Sequence, residues 1–331
     1  MIYVGDALKN LKRIPDARVD AIVTDPPYGL SEDKRGRRIV SGKWVSKGGF
    51  MGAAWDAIVP PVEVWAELRR VAKPGANLLS FGGTRTFHRL ACNIEDAGWT
   101  LHDTIMWVYG TGYPKNGRSL KPAWEPIIVA RNGGGRNLNA DDCRVPVVDP
   151  EDFERNQSGT RGSFMTRPRA NTHFSLGGGR STAAQGRHPA NLVHDASPEV
   201  LELFPKKAGA QSPVTNRRAA KHKSTFQAFR GQVETGNSFH GDSGSAARFF
   251  YAARASKADR GPGNTHPTVK PQSLMQWLVR LSSNPKDIVL DPFCGSGSTG
   301  VACKALGRHF VGIERDPAFA SIAQSRMGWN Q

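Results

Sequence analysis

Acidic residues are scarce in this chain: 29 Asp and Glu stand against 45 Lys and Arg, a formal net charge of +16 over 331 residues. Such an imbalance does not suit an ordinary metabolic enzyme. It points to a polyanionic partner, nucleic acid being the commonest, with a basic surface kept for solubility as the plainer alternative. Cysteine is also sparse. Cys92, Cys143, Cys294 and Cys303 form no CxxC pair, which speaks against a zinc site or a disulfide framework and for reduced thiols. His88, His102, His222 and His240 show no ligand spacing, so no metal is expected. No run of about 18 apolar residues occurs, and nothing is expected to span a membrane. The opening Met1-Ile-Tyr-Val-Gly-Asp6 lacks the charged-then-apolar pattern of a secretory signal. The length allows one large α/β domain with an insertion, or two modest domains.

What is present is an alternation of strand and helix at both ends. Val19-Asp-Ala-Ile-Val-Thr24 is an apolar run that stops at Asp25-Pro-Pro-Tyr28, where prolines forbid further strand pairing. Residues 31–50, rich in Gly, Lys and Arg, read as a mobile loop. Residues 61–72 have helical spacing (Val62, Val64, Trp65, Leu68, Val71), ended by Lys73-Pro-Gly75. Asn77-Leu-Leu-Ser-Phe81 predicts a buried strand, and apolar runs follow at 104–109 and 126–130. From residue 131 to about 262 the chain turns polar and glycine-rich, with some apolar rhythm at 188–204 that suggests a small ordered unit within an insertion. Residues 205–233 contain Lys206, Lys207, Arg217, Arg218, Lys221, Lys223 and Arg230 with no acid, and Phe226 and Phe229 lie among them. That pattern suits phosphate contact; a solvated linker is the bland reading. Beyond 263 the α/β rhythm resumes: a helix at 272–281, the strand Asp287-Ile-Val-Leu-Asp291, a glycine turn, a helix at 299–306, the strand His309-Phe-Val-Gly-Ile-Glu314, and a last helix opened by Asp316-Pro317. Strands alternating with helices predict a sheet covered by helices.

Two motifs carry chemistry. Asp25-Pro-Pro-Tyr28, directly after a strand, would arise by chance in about one such chain per thousand. The amino group of adenine is a poor nucleophile because its lone pair is delocalised into the ring. A carboxylate (Asp25) and a carbonyl (Pro26), held by the stiff Pro26-Pro27 backbone, can accept its two N–H bonds and free that lone pair. Tyr28 would stack on the base once it is turned out of the duplex. A rigid turn with a capping aspartate is the alternative. The second motif is Asp291-Pro-Phe-Cys-Gly-Ser-Gly-Ser-Thr299: a strand, a glycine turn and a helix start, where a nucleotide-like ligand lies against backbone. Glu314 ends the next strand, 23 residues after Asp291, where an acid can hold ribose hydroxyls. A GxG alone fits a nicotinamide cofactor too, but Ser298-Thr299 displaces the usual third glycine.

Asp-Pro-Pro-Tyr, Phe-x-Gly-x-Gly and the intervening His266-Pro-Thr-Val-Lys-Pro271 resemble the amino DNA methyltransferase family of bacteria and phages. Their order, catalytic motif before cofactor motif, is similar to its beta group. Gly5-Asp6-Ala7-Leu8, Lys73-Pro-Gly75 and Trp124-Glu-Pro-Ile-Ile-Val-Ala130 add to the likeness, which covers about 1–130 and 263–331. In the middle only His188-Pro-Ala-Asn-Leu-Val-His-Asp195 and Ser245-Ala-Ala-Arg-Phe-Phe250 look like phage-type segments. The resemblance implies a Rossmann-like methyltransferase fold: a mostly parallel, doubly wound sheet, circularly permuted in motif order, with an inserted target-recognition region. The expected division is a catalytic half at 1–130, a DNA-binding insertion at 131–262 and a cofactor half at 263–331. It implies S-adenosylmethionine as cofactor, leaving S-adenosylhomocysteine, and double-stranded DNA as partner. The implied location is the cytoplasm, at a bacterial nucleoid. Phe293, Gly295 and Gly297 would wrap the methionine part, with Asp291, Cys294, Ser296, Ser298 and Thr299 nearby. Glu314, with Arg315 beside it, would take the ribose; Asp6 and Ala7 would approach the cofactor's adenine; Thr268 and Lys270 would close over its carboxylate, and Asp25 would border it. Lys34, Arg35, Arg37, Arg38 and Lys43 join Arg217, Arg218, Lys221, Lys223 and Arg230 as DNA contacts.

Adenine N6 is favoured over cytosine N4, because cytosine enzymes of the family more often resemble Ser-Pro-Pro-Tyr. Glutamine methylases of release factors carry a similar Asn-Pro-Pro-Tyr, but their cofactor motif comes first. A DNA-binding regulator with a dead catalytic fold is countered by intact Asp25, Tyr28 and Gly295. Carbon-5 methylation of cytosine would need a thiolate, usually after proline, and no Pro-Cys pair exists. Cys294 therefore reads as a small loop residue. The helices at 61–72 and 272–281 could serve a homodimer, although core packing explains them equally. A restriction partner leaves no mark in the sequence.

Overall fold

The computed structural model describes residues 1–29, 38–40, 43–45, 58–112, 120–135, 137–146, 186–208 and 244–329. Eleven strands lie among them: β1 (Ile2–Val4), β2 (Val19–Thr24), β3 (Arg38–Val40), β4 (Lys43–Val45), β5 (Ala72–Phe81), β6 (Thr100–Val108), β7 (Trp124–Arg131), β8 (Leu192–His194), β9 (Tyr251–Ala252), β10 (Ile288–Asp291) and β11 (His309–Glu314). The α-helices are α1 (Ala7–Leu11), α2 (Val62–Val71), α3 (Phe87–Asp96), α4 (Pro198–Leu201), α5 (Gln272–Ser282), α6 (Ser298–Ala305) and α7 (Pro317–Arg326). Among the described residues no helix is long and apolar enough to cross a membrane.

Nine strands form one sheet in the order β1-β11-β10-β2-β5-β7-β6-β8-β9. Every neighbouring pair is parallel except those made by β7, which runs antiparallel to both β5 and β6. Strand periodicity sorts the core into two layers. Ala21, Val23, Leu79, Phe81, Ile127, Val129 and Val289 pack with Leu274, Met275 and Leu278 of α5, Ala302 and Cys303 of α6 and Ala323 of α7. Their sequence neighbours Ile22, Leu78, Ile128, Ala130 and Leu290 pack with Leu11 of α1, Val64, Trp65 and Leu68 of α2, and Leu90 and Ile94 of α3. Helices thus cover both faces, as a doubly wound sheet requires. The apolar sides of α2 and α5 are spent in these two layers.

Three local expectations change. Residues 31–50 were expected to be a loop throughout, but β3 and β4 pair antiparallel within them. Residues 188–204 were expected to be a small unit inside the insertion. Instead β8 joins the main sheet, pairing Met106 with Leu192 and Val108 with His194. Lys73-Pro-Gly75 does not separate α2 from a later strand; β5 begins at once, and its register against β2 jumps from Val19–Ala72 to Ala21–Asn77. The Lys73-Pro-Gly turn is therefore a bulge, with Gly75 at φ +80°.

The chain divides into two compact units: Met1–Cys143 with Ala190–Leu201 and Tyr251–Gln331, and Arg144–Pro189 with Glu202–Phe250. The whole nine-stranded sheet belongs to the first. In the second, Val145 bridges Arg187 and Ala208 bridges Gly244, both antiparallel. There Phe204 and Phe250 lie 5.4 Å apart, and the Arg248 guanidinium sits 4.4 Å over Phe249.

Candidate active site

Parallel strands deliver their following loops to one edge of a sheet, the usual place for a ligand. Here β2 hands over to Asp25-Pro-Pro-Tyr28, β10 to Pro292-Phe-Cys-Gly295 and β11 to Arg315. A strand running the other way begins at that same edge, and β7 brings Glu125, its second residue. Together these segments line a cavity of about 1350 Å³, with Asp6, Ala7, Thr268 and Lys270 in its wall.

The two motifs are joined through buried bonds. Thr24 Oγ1, at the end of β2, donates to Asp291 Oδ1 at 2.7 Å, and Thr299 Oγ1 of α6 donates to Oδ2 at 2.6 Å. The Phe293 N–H donates to Oδ1 at 3.1 Å. Asp291 is 2% exposed. Burial pushes its carboxyl up to about 7, against the pull of Thr299, Thr24 and the Phe293 amide, with the charge of Asp25 adding to the rise.

The glycine turn is fixed from both sides. Glu314 Oε2 accepts from Gly295 N at 2.7 Å and Oε1 from Asp316 N at 2.8 Å. Gly295 (φ +50°) and Gly297 (φ +80°) occupy left-handed backbone, and an added Cβ would lie 2.9 Å from His266 Nε2 or 2.8 Å from Ala323 Cβ. Glycine is required there by backbone and packing alike. Phe293, Cys294, Ser296, Ser298, Thr299 and Arg315 line the same cavity. Burial holds the Cys294 thiol well above its ordinary pKa, so it is no thiolate nucleophile. Asp6 caps α1, its Oδ1 accepting from Lys9 N at 3.0 Å, while it also faces the cavity.

Around Asp25 the arrangement departs from the sequence reading. Lys270, expected to close over a cofactor carboxylate, spends its three N–H donors elsewhere. Its Nζ lies 3.0 Å from Asp25 Oδ2, 2.9 Å from Glu125 Oε2 and 3.0 Å from the Tyr28 hydroxyl. The ammonium also sits 4.7 Å over the Phe81 ring. Tyr28 Oη is 2.7 Å from Asp25 Oδ1 and 3.1 Å from Glu125 Oε2, and the Tyr109 hydroxyl reaches Glu125 Oε1 at 3.4 Å. Burial alone would lower the Lys270 pKa, but Asp25 and Glu125 outweigh it and hold the ammonium above its ordinary value. Burial, then Asp25 and Glu125, raises the Tyr28 phenol well above the usual range. Thr86 Oγ1 donates to the Tyr28 carbonyl at 2.6 Å, so the motif is anchored at its main chain as well.

Sequence reasoning missed Thr24, Tyr109 and Glu125 as site residues. Glu125 left a signal: it is an acid at the head of an otherwise apolar strand. Of the ten basic residues assigned to DNA, Arg38 lies on β3 and Lys43 on β4. Lys34, Arg35, Arg37, Arg217, Arg218, Lys221, Lys223 and Arg230 lie outside the described residues.

A family model described as DNA methylase (N6_N4_Mtase) matches residues 19–325. The chain belongs to this DNA methylase family. The methylase is 24% identical to the type II methyltransferase M.HindIII of Haemophilus influenzae, over 99% of this chain and 94% of the relative. It is 25% identical to the DNA adenine methyltransferase YhdJ of Escherichia coli, over 98% of this chain and 82% of that one. Among solved structures, the cytosine-N4-specific PvuII DNA methyltransferase superposes with a TM-score of 0.52 at 14% identity, covering 98% of this chain and 85% of that one. The methylase therefore has the Rossmann-like methyltransferase fold expected from its motifs.

Proposed function

We propose that this DNA methylase transfers a methyl group from S-adenosylmethionine to N6 of adenine in double-stranded DNA. The observation that carries the reading is the joining of Asp25-Pro-Pro-Tyr28 and the Phe293–Ser296 part of the glycine turn in one cavity, across the 2.7 Å bond between Thr24 and Asp291. The residues fit the cofactor: a glycine turn with free φ, an acid at 314 and an open cavity wall at Asp6, Ala7 and Phe293. Bound S-adenosylmethionine supplies an electrophilic methyl group.

The chain's own residues prepare the acceptor. Asp25 and the Pro26 carbonyl accept the two N–H bonds of an extruded adenine, drawing its lone pair out of the ring. A carboxylate has about four acceptor positions, so Asp25 can take one N–H of the base while keeping Tyr28 and Lys270. Tyr28 presents its ring to the base while its hydroxyl stays tied to Asp25. The transfer is a direct displacement and needs no covalent enzyme intermediate, in keeping with the protonated Cys294. The basic segments at 34–43 and 217–230 are assigned to the phosphates.

Adenine is chosen over cytosine because the first motif residue is Asp, and the relative YhdJ is named an adenine methyltransferase. Mass analysis of nucleosides after incubation with DNA tests this directly: 6-methyladenine is expected, and 4-methylcytosine would reverse the assignment. Asp25→Ala is expected to abolish turnover with DNA affinity little changed; retained activity would remove Asp25 from the mechanism.

A further inference from the structure

Three charged groups meet around the Tyr28 hydroxyl: Asp25, Glu125 and Lys270, with side chains 27%, 20% and 10% exposed. Two carboxylates against one ammonium leave the cluster at −1. Burying such a group seldom adds stability, since desolvation offsets the attraction. A second carboxylate kept there calls for another reason. Asp25 alone would be cancelled by Lys270, giving a neutral pocket.

We propose that Glu125 is a positioning residue for methyl transfer: it binds Lys270 and Tyr28 so that the pocket around Asp25 stays net negative and Asp25 is not neutralised by its own lysine. This rests on the reading of Asp25 as the group that grips the base. Transfer makes an N–C bond from the amino lone pair and breaks the C–S bond, whose electrons stay on sulfur. The nitrogen is left cationic until it passes one proton to Asp25. Positive charge therefore arrives at the acceptor nitrogen during the step, and a fixed negative field there lowers the barrier without reorganisation. The antiparallel direction of β7 is what allows Glu125 to take part, because its first residues stand where β2 ends.

The test separates charge from shape. Glu125→Gln keeps the size and most hydrogen bonding but removes the charge; Glu125→Asp keeps the charge and shortens the arm. Single-turnover methylation by Glu125→Gln is expected to slow about 10- to 100-fold, ~1.4 to ~2.8 kcal/mol of barrier. Its dissociation constants for S-adenosylmethionine and for DNA should stay within about twofold. Glu125→Asp is expected to remain faster than Glu125→Gln. Wild-type speed in Glu125→Gln, or a Glu125→Asp slower than Glu125→Gln, would overturn the proposal. Asp25→Ala run alongside keeps the two readings apart. If it is inert while Glu125→Gln is fully active, only the role of Glu125 fails; if it is active, the reading of the whole pocket fails first.

Discussion

Replacing Asp291 by Asn should change how stability depends on pH, in a direction the structure fixes. The carboxyl lies buried between two threonine hydroxyls, and its pKa stands at about 7 in the folded protein against 3.8 as the ordinary value. Between those values the folded state holds a proton that the unfolded chain has lost. Folding then takes up a proton, and stability falls as pH rises, by about 1.4 kcal/mol per pH unit until the folded pKa is passed. The gap of roughly three units corresponds to about 4 kcal/mol, present in full below pH 3.8 and gone above pH 7. Asparagine cannot ionise. Its amide oxygen can accept from one threonine, while Thr299 can turn its hydroxyl toward the Val23 carbonyl, already 3.4 Å away. Denaturant unfolding of wild type and Asp291→Asn, side by side from pH 5 to 9, isolates the group because other titrations cancel in the difference. The variant should gain on wild type by roughly 2 to 3 kcal/mol between pH 5 and 7 and no further above pH 8. A difference that is flat across this range would show that Asp291 is ionised throughout, and the account of its burial would be wrong.

Two further changes probe the cofactor side. Gly297→Ala adds a methyl 2.8 Å from Ala323 Cβ in left-handed backbone, whereas Gly133→Ala at φ +73° meets nothing within 4 Å. Unfolding should show Gly297→Ala the more destabilised of the two by about 1 to 3 kcal/mol, and equal losses would mean that α7 simply shifts aside. Glu314→Gln turns one of two acceptors facing Gly295 N and Asp316 N into a donor; calorimetry should show binding of S-adenosylmethionine weakened at least about 10-fold with DNA binding retained, and unchanged affinity would remove Glu314 from that site.

Much of the fold was legible because β2, β5 and β10 are apolar runs stopped by a nearby proline or glycine, and β11 is one stopped by the charged Glu314-Arg-Asp316, signals local to a few residues. The β8 and β9 strands were not legible. They are three and two residues long, too short for any period, and become strands only by pairing, β8 with β6 and β9 with β8. The candidate site divides in the same way. Asp25, Tyr28, Gly295 and Glu314 stand in compact motifs whose spacing carries their chemistry. The pairing of Lys270 with Glu125 spans 145 residues, and no pattern along the chain encodes it. Lys270 was therefore assigned by its motif to a cofactor carboxylate, while its donors are used up on side chains from β7 and from the turn after β2.

Two neighbouring interior strands of the sheet, β2 and β10, are joined by a hydrogen bond between residues 267 positions apart. A contact of such sequence separation closes a very long loop, and that entropy must be offset before the contact gives anything back. The Asp25-Pro-Pro-Tyr28 turn and the glycine turn face each other only where β10 lies beside β2. The cavity is thus a property of the closed sheet alone: a chain in which residues 24 and 291 stand apart has only one of its two walls.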